Sequence, residues 1–436
     1  MSLLIPSPAG RRFTYFLPAR GCVVLAALWA GVVAPPAYGL GLAEAERIAI
    51  ERDAVLRQLA SESDAMRQRG VAEGQLMDPK LRVGAVNVPV DSFSLDAEDM
   101  TMLEVGVSQE FPAGRTRELA RKRMDQSASA AEALAADRRL TVQREVRRAW
   151  TELAYIGRAR QLVTGQVEWV EQMRASARAR YASGQGRQLD VLQAGLDVAM
   201  LREQLLDLDR DEAMRRAQLG RWIGDEEARR AETNALPARA ALEPLSVLEE
   251  RVLRHPAQLD YEHRIAAAQS AVDLAEQRRR PGWMLDVSYG FRSGEEMDGE
   301  SRADMLSAMV SVDLPLFRGN RQDREVAAAR AEARGLHEMH EDHQREMIAM
   351  LREAWSVADR TAELERFYES DLVPLAGQSV QAALLAYRAD RAMIDDVIAA
   401  RRAALETSVK HLRLAADRAQ ARYDLEYLAG VSGNED

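Results

Sequence analysis

The chain has 436 residues, of which 29% are charged and only 5% aromatic, and its formal net charge is -10. This composition favours long helices over a β-rich globule, and the acidic balance excludes a nucleic-acid binder. A single cysteine, Cys22, excludes a disulfide framework and a paired-cysteine metal site.

Residues 1–39 read as a secretory signal peptide. Arg11, Arg12 and Arg20 form a basic start, Cys22 to Val33 an apolar stretch too short to span a bilayer, and Ala37-Tyr38-Gly39 a small-x-small cleavage site. Its removal takes Cys22 away and moves the net charge to -13. After Gly39 no run of 18 apolar residues occurs. Such a chain is either soluble outside the cytoplasm or crosses a membrane as a closed β-barrel.

Residues 42–75 read as one helix, ended by Asp78-Pro79. Strands follow at 81–90 and 103–112, separated by an acidic loop. The second strand alternates Leu103, Val105, Val107 and Phe111 with Glu104, Gly106, Ser108 and Glu110. From 115 to 181 the helical period runs without proline, about 100 Å if unbroken. A turn around Ser183-Gly-Gln-Gly186 leads into a helix at 188–222, with Gly224 as its cap.

The series then repeats: helix 246–279, strand 283–292, an acidic loop, strand 307–316, and a long helix 320–387 interrupted at Pro374. A turn leads into a last helix at 392–427, and residues 431–436 form a tail. In strand 307–316, Val310, Val312, Leu314 and Leu316 share one face. Val105, Gly114 and Trp150 return 205 positions later as Val310, Gly319 and Trp355. Tyr181 and Asp190-Val191 return as Tyr387 and Asp396-Val397, the offset now 206. The chain is thus two structural repeats, 40–236 and 237–430, each unable to bury its apolar surface alone.

Four strands of about ten residues, apolar on one face, are long enough to cross an outer membrane when tilted. They cannot close a barrel by themselves, and lipid does not tolerate open edges. Three chains supply twelve strands, an even number with a water-filled lumen. The competing architectures are a soluble α+β protein whose strands pack on its helices and a periplasmic helical adaptor or scaffold without a channel.

Three stretches carry a family resemblance. They are Met102-Leu-Glu-Val-Gly-Val-Ser-Gln-Glu-Phe-Pro112 with Gly114 and Arg115; Arg180-Tyr181, Gly184 and Leu189-Asp-Val-Leu192; and Tyr387 with Asp396-Val-Ile398. In order, duplication and spacing the chain resembles the TolC family of outer-membrane efflux proteins over residues 40–430. The resemblance implies a mainly α fold with transmembrane β: a homotrimer with a twelve-stranded barrel in the outer membrane of a Gram-negative bacterium and a long periplasmic α-helical barrel. It also implies a periplasmic adaptor protein and an inner-membrane pump of the RND type as partners. Met100-Thr-Met-Leu before Ser108-Gln-Glu-Phe-Pro is similar to channels of heavy-metal and copper efflux systems.

By the same resemblance the turns after Tyr181 and Tyr387 are periplasmic tips. Tyr181, Gly184, Gly186, Tyr387, Arg388 and Arg391 would then meet the adaptor, and Asp190, Asp395 and Asp396 would line the pore aperture. Asp396 matches the family's aperture aspartate, while Ala399 stands where a second acid is often found. In a trimer each becomes a ring of carboxylates that favours cations. Helix capping is the plainer role for an Asp at these positions. Opening would swing the second repeat's helices outward and break contacts near Asp396.

No P-loop, nucleophile elbow, or His-Glu-x-x-His motif occurs, so neither an enzyme nor a cofactor is expected. His337, His340 and His343 lie on one helical arc and are metal candidates, although a solvated face among acids is the expected role. Met100, Met102, Met297, Met305 and Met309 lie in or near the strands and read as barrel filler before soft-ion ligands. Trp150 and Trp355 read as packing residues of the rods.

Overall fold

The computed structural model describes residues 40–431, except 232, 234, 238, 240 and 297. The expected signal peptide, the tail beyond 431 and Met297 lie outside the described residues. The first half runs α1 (Leu42–Arg52), α2 (Ala54–Glu73), β1 (Lys80–Val86), β2 (Met102–Phe111), α3 (Thr116–Ala182), α4 (Gln188–Ile223) and the short α5 (Asp225–Arg230). The second runs α6 (Leu245–Val252), α7 (Pro256–Gln277), β3 (Trp283–Phe291), β4 (Met305–Val312), α8 (Gln322–Phe367), α9 (Val373–Arg388) and α10 (Ile394–Leu428). No described helix is long and apolar enough to cross a membrane.

Two segments expected as single helices are broken by internal caps. At Asp53 the backbone turns extended, and the carboxylate accepts from the Leu56 amide at 2.8 Å and pairs with Arg138 at 2.8 Å. At His255, Nδ1 accepts from the Ala257 amide at 3.2 Å, and Pro256 starts α7. Neither break disturbs the apolar periodicity, which continues through the cap. The fully buried His255 places Nε2 2.9 Å from the Tyr427 carbonyl, which fixes a neutral ring protonated at Nε2. Burial holds its pKa below the ordinary histidine value.

The strand bounds also differ from the expected ones. β1 stops at Val86, not residue 90, because Asn87 turns left-handed with φ 56°. Thr101 Oγ1 then donates to the Asn87 carbonyl at 2.8 Å and closes the base of the hairpin loop. β4 spans Met305–Val312, so Leu314 and Leu316 lie past it, exposed in the chain leading to α8.

The strands form one antiparallel sheet in the order β1-β2-β3-β4. Its register brings Leu81, Val107, Val287 and Ala308 into one row and Val83, Val105, Tyr289 and Leu306 into the next. One face of the sheet is therefore continuously apolar, and Leu81, Val83, Leu306 and Val310 are each at least 60% exposed in the single chain. The opposite face carries Arg82, Glu104, Ser108, Asp286 and Ser288, with Asp286 and Ser288 buried. On the two central strands, β2 and β3, the polar side is the more covered and the hydrocarbon is bare, the reverse of a soluble sheet.

The rods are held by α3, whose 67 residues span about 100 Å. Its buried positions include Ala128, Ala131, Ala149, Ala154 and Ala159, small side chains that let α2, α4, α7 and α10 approach closely. Trp150 packs with Val146, Leu153, Leu219 and Ile223 in the first half. Trp355 sits against the matching cluster of Met347, Leu351, Leu425 and Leu428, and its indole N–H donates to the Glu243 carbonyl at 3.0 Å.

The one-residue change in the repeat offset has a structural address. Between Trp355 and Tyr387, residues Tyr368–Leu372 form a single π-helical turn, which holds one residue more than an α-turn over the same rise. The interruption therefore precedes Pro374, which sits harmlessly in the first turn of α9. Arg239 clasps the turn by pairing with Glu365 at 2.9 Å and Glu369 at 2.6 Å. Deleting the exposed Ser370 should convert the turn to α-helix and keep both flanks in phase. A trimer that assembles with Tm within a few degrees of the parent is expected, whereas deleting Gly165 from α3 should abolish assembly by rotating everything below it about 100°.

Candidate functional site: the helical tip

α3 ends in a turn that needs a left-handed residue. Gly184 takes it with φ 75°, and the Gln185 amide closes back to the Arg180 carbonyl at 2.9 Å. Gly186 is required for space, because a Cβ there would lie 2.9 Å from the Tyr181 amide nitrogen. The turn after α9 is its copy: the Arg391 amide closes to the Ala386 carbonyl at 2.9 Å, and Asp390 holds the left-handed position with φ 51°. Gly184 and Asp390 are 206 apart, so the copy replaced a glycine by one of the few residue types that tolerates this backbone.

That substitution creates a contact. Arg180 at the end of α3 donates to the Tyr387 hydroxyl at 3.3 Å and to Asp390 Oδ1 at 3.4 Å, with its guanidinium 5.6 Å from the Tyr387 ring centre. A second tie comes from Arg187, whose Nη2 lies 2.7 Å from Asp190 Oδ1 and 2.9 Å from the Met393 sulfur. Beneath them Ala177, Ala194, Ile394 and Ile398 form a small apolar core with Trp169 and Tyr387 packed on it. The two halves of the chain are thus joined at the tip by arginines of the first half holding groups of the second.

The three aspartates divide their work. Asp396 caps α10, its Oδ2 accepting from the Met393 amide at 2.8 Å. Asp190 is bound by Arg187. Among the described residues Asp395 has no salt-bridge partner: burial, then Asp190, push its carboxyl above the ordinary range, and Asp396 adds to this while Arg187 and a hydrogen bond from Gln193 oppose it. Tyr181, Arg388 and Arg391 are exposed at the tip surface.

Residue patterns quoted Arg180 as part of a motif but gave it no partner, and they did not single out Arg187 or Asp390. The only hint was the pairing of Gly184 with Asp390 across the repeat. The histidines do not converge. His340 and His343 pack on the Tyr261 ring at 5.6 and 5.0 Å, while His337 is exposed. Among the described residues, no group of three or more His, Cys, Asp or Glu is gathered to hold a metal ion. Met102, Met305 and Met309 fall on the polar face of the sheet, and Met100 is exposed in the loop.

Residues 43–225 match the family model described as outer membrane efflux protein. The fold is shared with solved channels at low identity. VceC of Vibrio cholerae is 18% identical, with a TM-score of 0.74, covering 90% of this chain and 96% of that one. CusC is 14% identical with a TM-score of 0.72, covering 90% and 92%. MtrE of Neisseria gonorrhoeae is 16% identical with a TM-score of 0.71, covering 89% of both chains. Comparison with curated protein sequences gives no match. The first half of the chain thus matches the outer membrane efflux protein family model, and over nine-tenths of its length the chain shares the fold of these solved outer-membrane channels.

Proposed function

We propose that the chain is one third of a passive exit duct through the outer membrane, serving a tripartite efflux system. The observation that carries this is the four-stranded sheet: apolar outside, polar inside, with two open edges at β1 and β4. Three copies close those edges into twelve strands, and the rods of three copies continue the lumen into the periplasm. A helical scaffold has no use for a bare hydrocarbon face on its only sheet. An inner-membrane pump supplies the driving force, a periplasmic adaptor joins pump to duct, and metal cations are the cargo favoured by acidic aperture rings. Cell fractionation tests the reading: the protein should stay with the outer membrane, need detergent, and run as a heat-dissociable trimer. Release with the periplasmic fraction would defeat it.

In this reading the tip is the gate. Asp190, Asp395 and Asp396 form the aperture rings, and Arg180 and Arg187 hold the second half closed against the first. Tyr181, Gly184, Gly186, Tyr387, Arg388 and Arg391 form the adaptor-facing surface. The raised pKa of Asp395 gives the gate a sign. The closed tip takes up a proton more readily than a free carboxyl does, so protonation stabilises closure. That stabilisation is present in acid and lost as pH rises through the raised value. Single-channel conductance should therefore fall as the pH is lowered through the raised value, and Asp395→Asn should flatten the dependence.

A further inference from the structure

The polar face of the sheet carries a charged constellation distant from the tip. Arg82 on β1 stands opposite Gly106 of β2, which stands opposite Ser288 of β3. Its Nη2 lies 2.7 Å from Asp286 Oδ1 on β3 and 3.1 Å from Glu104 Oε1 on β2. Neighbouring strands are about 4.8 Å apart, so this guanidinium crosses the whole width of β2 to reach β3. Glycine at 106 keeps the path open. A Cβ there would sit 2.9 Å from the Ser288 Cβ and 3.4 Å from Arg82 Nη2.

The two carboxylates are largely covered, at 12% and 18% side-chain exposure, while Arg82 stays 57% exposed above them. The strands are already joined by full ladders, and an ion pair exposed to this degree adds little to stability. Its stronger consequence is electrostatic, because it sets the sign of the wall facing the lumen.

We propose that Arg82, Glu104 and Asp286 form a charge station on the exit barrel that tunes its preference between cations and anions. This rests on the channel reading above. One cation over two anions leaves -1 per chain and a ring of -3 in the trimer. Such a ring disfavours small anions yet is too weak to hold a multivalent cation, and conduction requires binding weak enough to release. Without Arg82 the same ring would carry -6 and retain such ions in the duct.

The test places a reporter cysteine beside the station. Ser108 lies opposite both Lys80 and Asp286 on the same face, and the only cysteine of the chain, Cys22, lies outside the described residues. Ser108→Cys is labelled on intact cells with a cationic and an anionic methanethiosulfonate reagent, with the parent chain as control. Arg82→Gln should raise the cation-to-anion rate ratio roughly fivefold, the effect of removing one screened unit charge several ångströms away. Arg82→Lys should leave the ratio near the parent value, and Asp286→Asn should lower it. If Arg82→Gln does not assemble, the Asp286→Asn variant decides alone. A ratio within twofold of the parent in every variant that assembles overturns the station but leaves the channel standing. A reporter that reacts with neither reagent removes the water-filled lumen, and both readings fall.

Discussion

Replacing Arg147 with alanine is expected to cost about 3–5 kcal/mol of stability, the cost of breaking a buried ion pair. Arg147 is 7% exposed on α3 and pairs with Glu46 of α1 at 2.7 Å and Glu426 of α10 at 2.8 Å. It therefore ties the first described helix, α1, to the last, α10. Truncation leaves Glu46 covered without its cation, and leaves Glu426 only the half-exposed Arg422, 2.6 Å away. Thermal melting of the detergent-solubilised trimer is the measurement, and an unchanged Tm would refute the assignment. Arg147→Met with Glu46→Gln and Glu426→Gln should recover much of the loss, since the penalty lies in the unpaired charges and not in the missing bridge.

Removing Arg180 and Arg187 together is expected to raise the open fraction of the channel on the order of tenfold. Each tie is solvent-exposed and weak by itself, with Arg180 at 41% and Asp390 at 82% side-chain exposure. A trimer repeats both ties three times, and they oppose the same movement, so their effects multiply. The double alanine variant should show larger and more frequent openings in planar bilayers with no change in Tm, because the apolar contacts of Ile394 and Ile398 remain. Conductance equal to the parent would place the gate elsewhere. Asp390→Gly makes a sharper companion: it keeps the left-handed turn and removes only the carboxylate that Arg180 holds.

Much of the architecture was legible because it is periodic. Alternation at 103–112 and 283–292 marked two strands with one apolar face, and 67 residues without proline marked α3. The helix breaks at Asp53 and His255 were not legible, since a cap satisfied by a side chain leaves the apolar stripe unbroken. The interruption assigned to Pro374 was displaced for a related reason. Proline is tolerated in a first helical turn, and the actual irregularity is the inserted residue upstream at Tyr368–Leu372. The offset of 205 becoming 206 had recorded that insertion, though not its place.

At the tip, the aspartates were visible by position and their roles were not. Sequence alone put Asp396 at the family's aperture position and set Asp190 and Asp395 beside it as further candidates. Only the folded tip separates a cap, an arginine partner and a carboxyl pressed by its neighbours. The same holds for Arg82, which nothing distinguishes among the chain's arginines until the register sets it across Gly106 from Asp286. Repetition, strand faces and rod length follow from local periodicity, so the sequence by itself determined them. Which polar groups meet across elements depends on residues 22 to 290 positions apart, from Arg82 and Glu104 to Asp137 and Tyr427, and only the tertiary structure decided that.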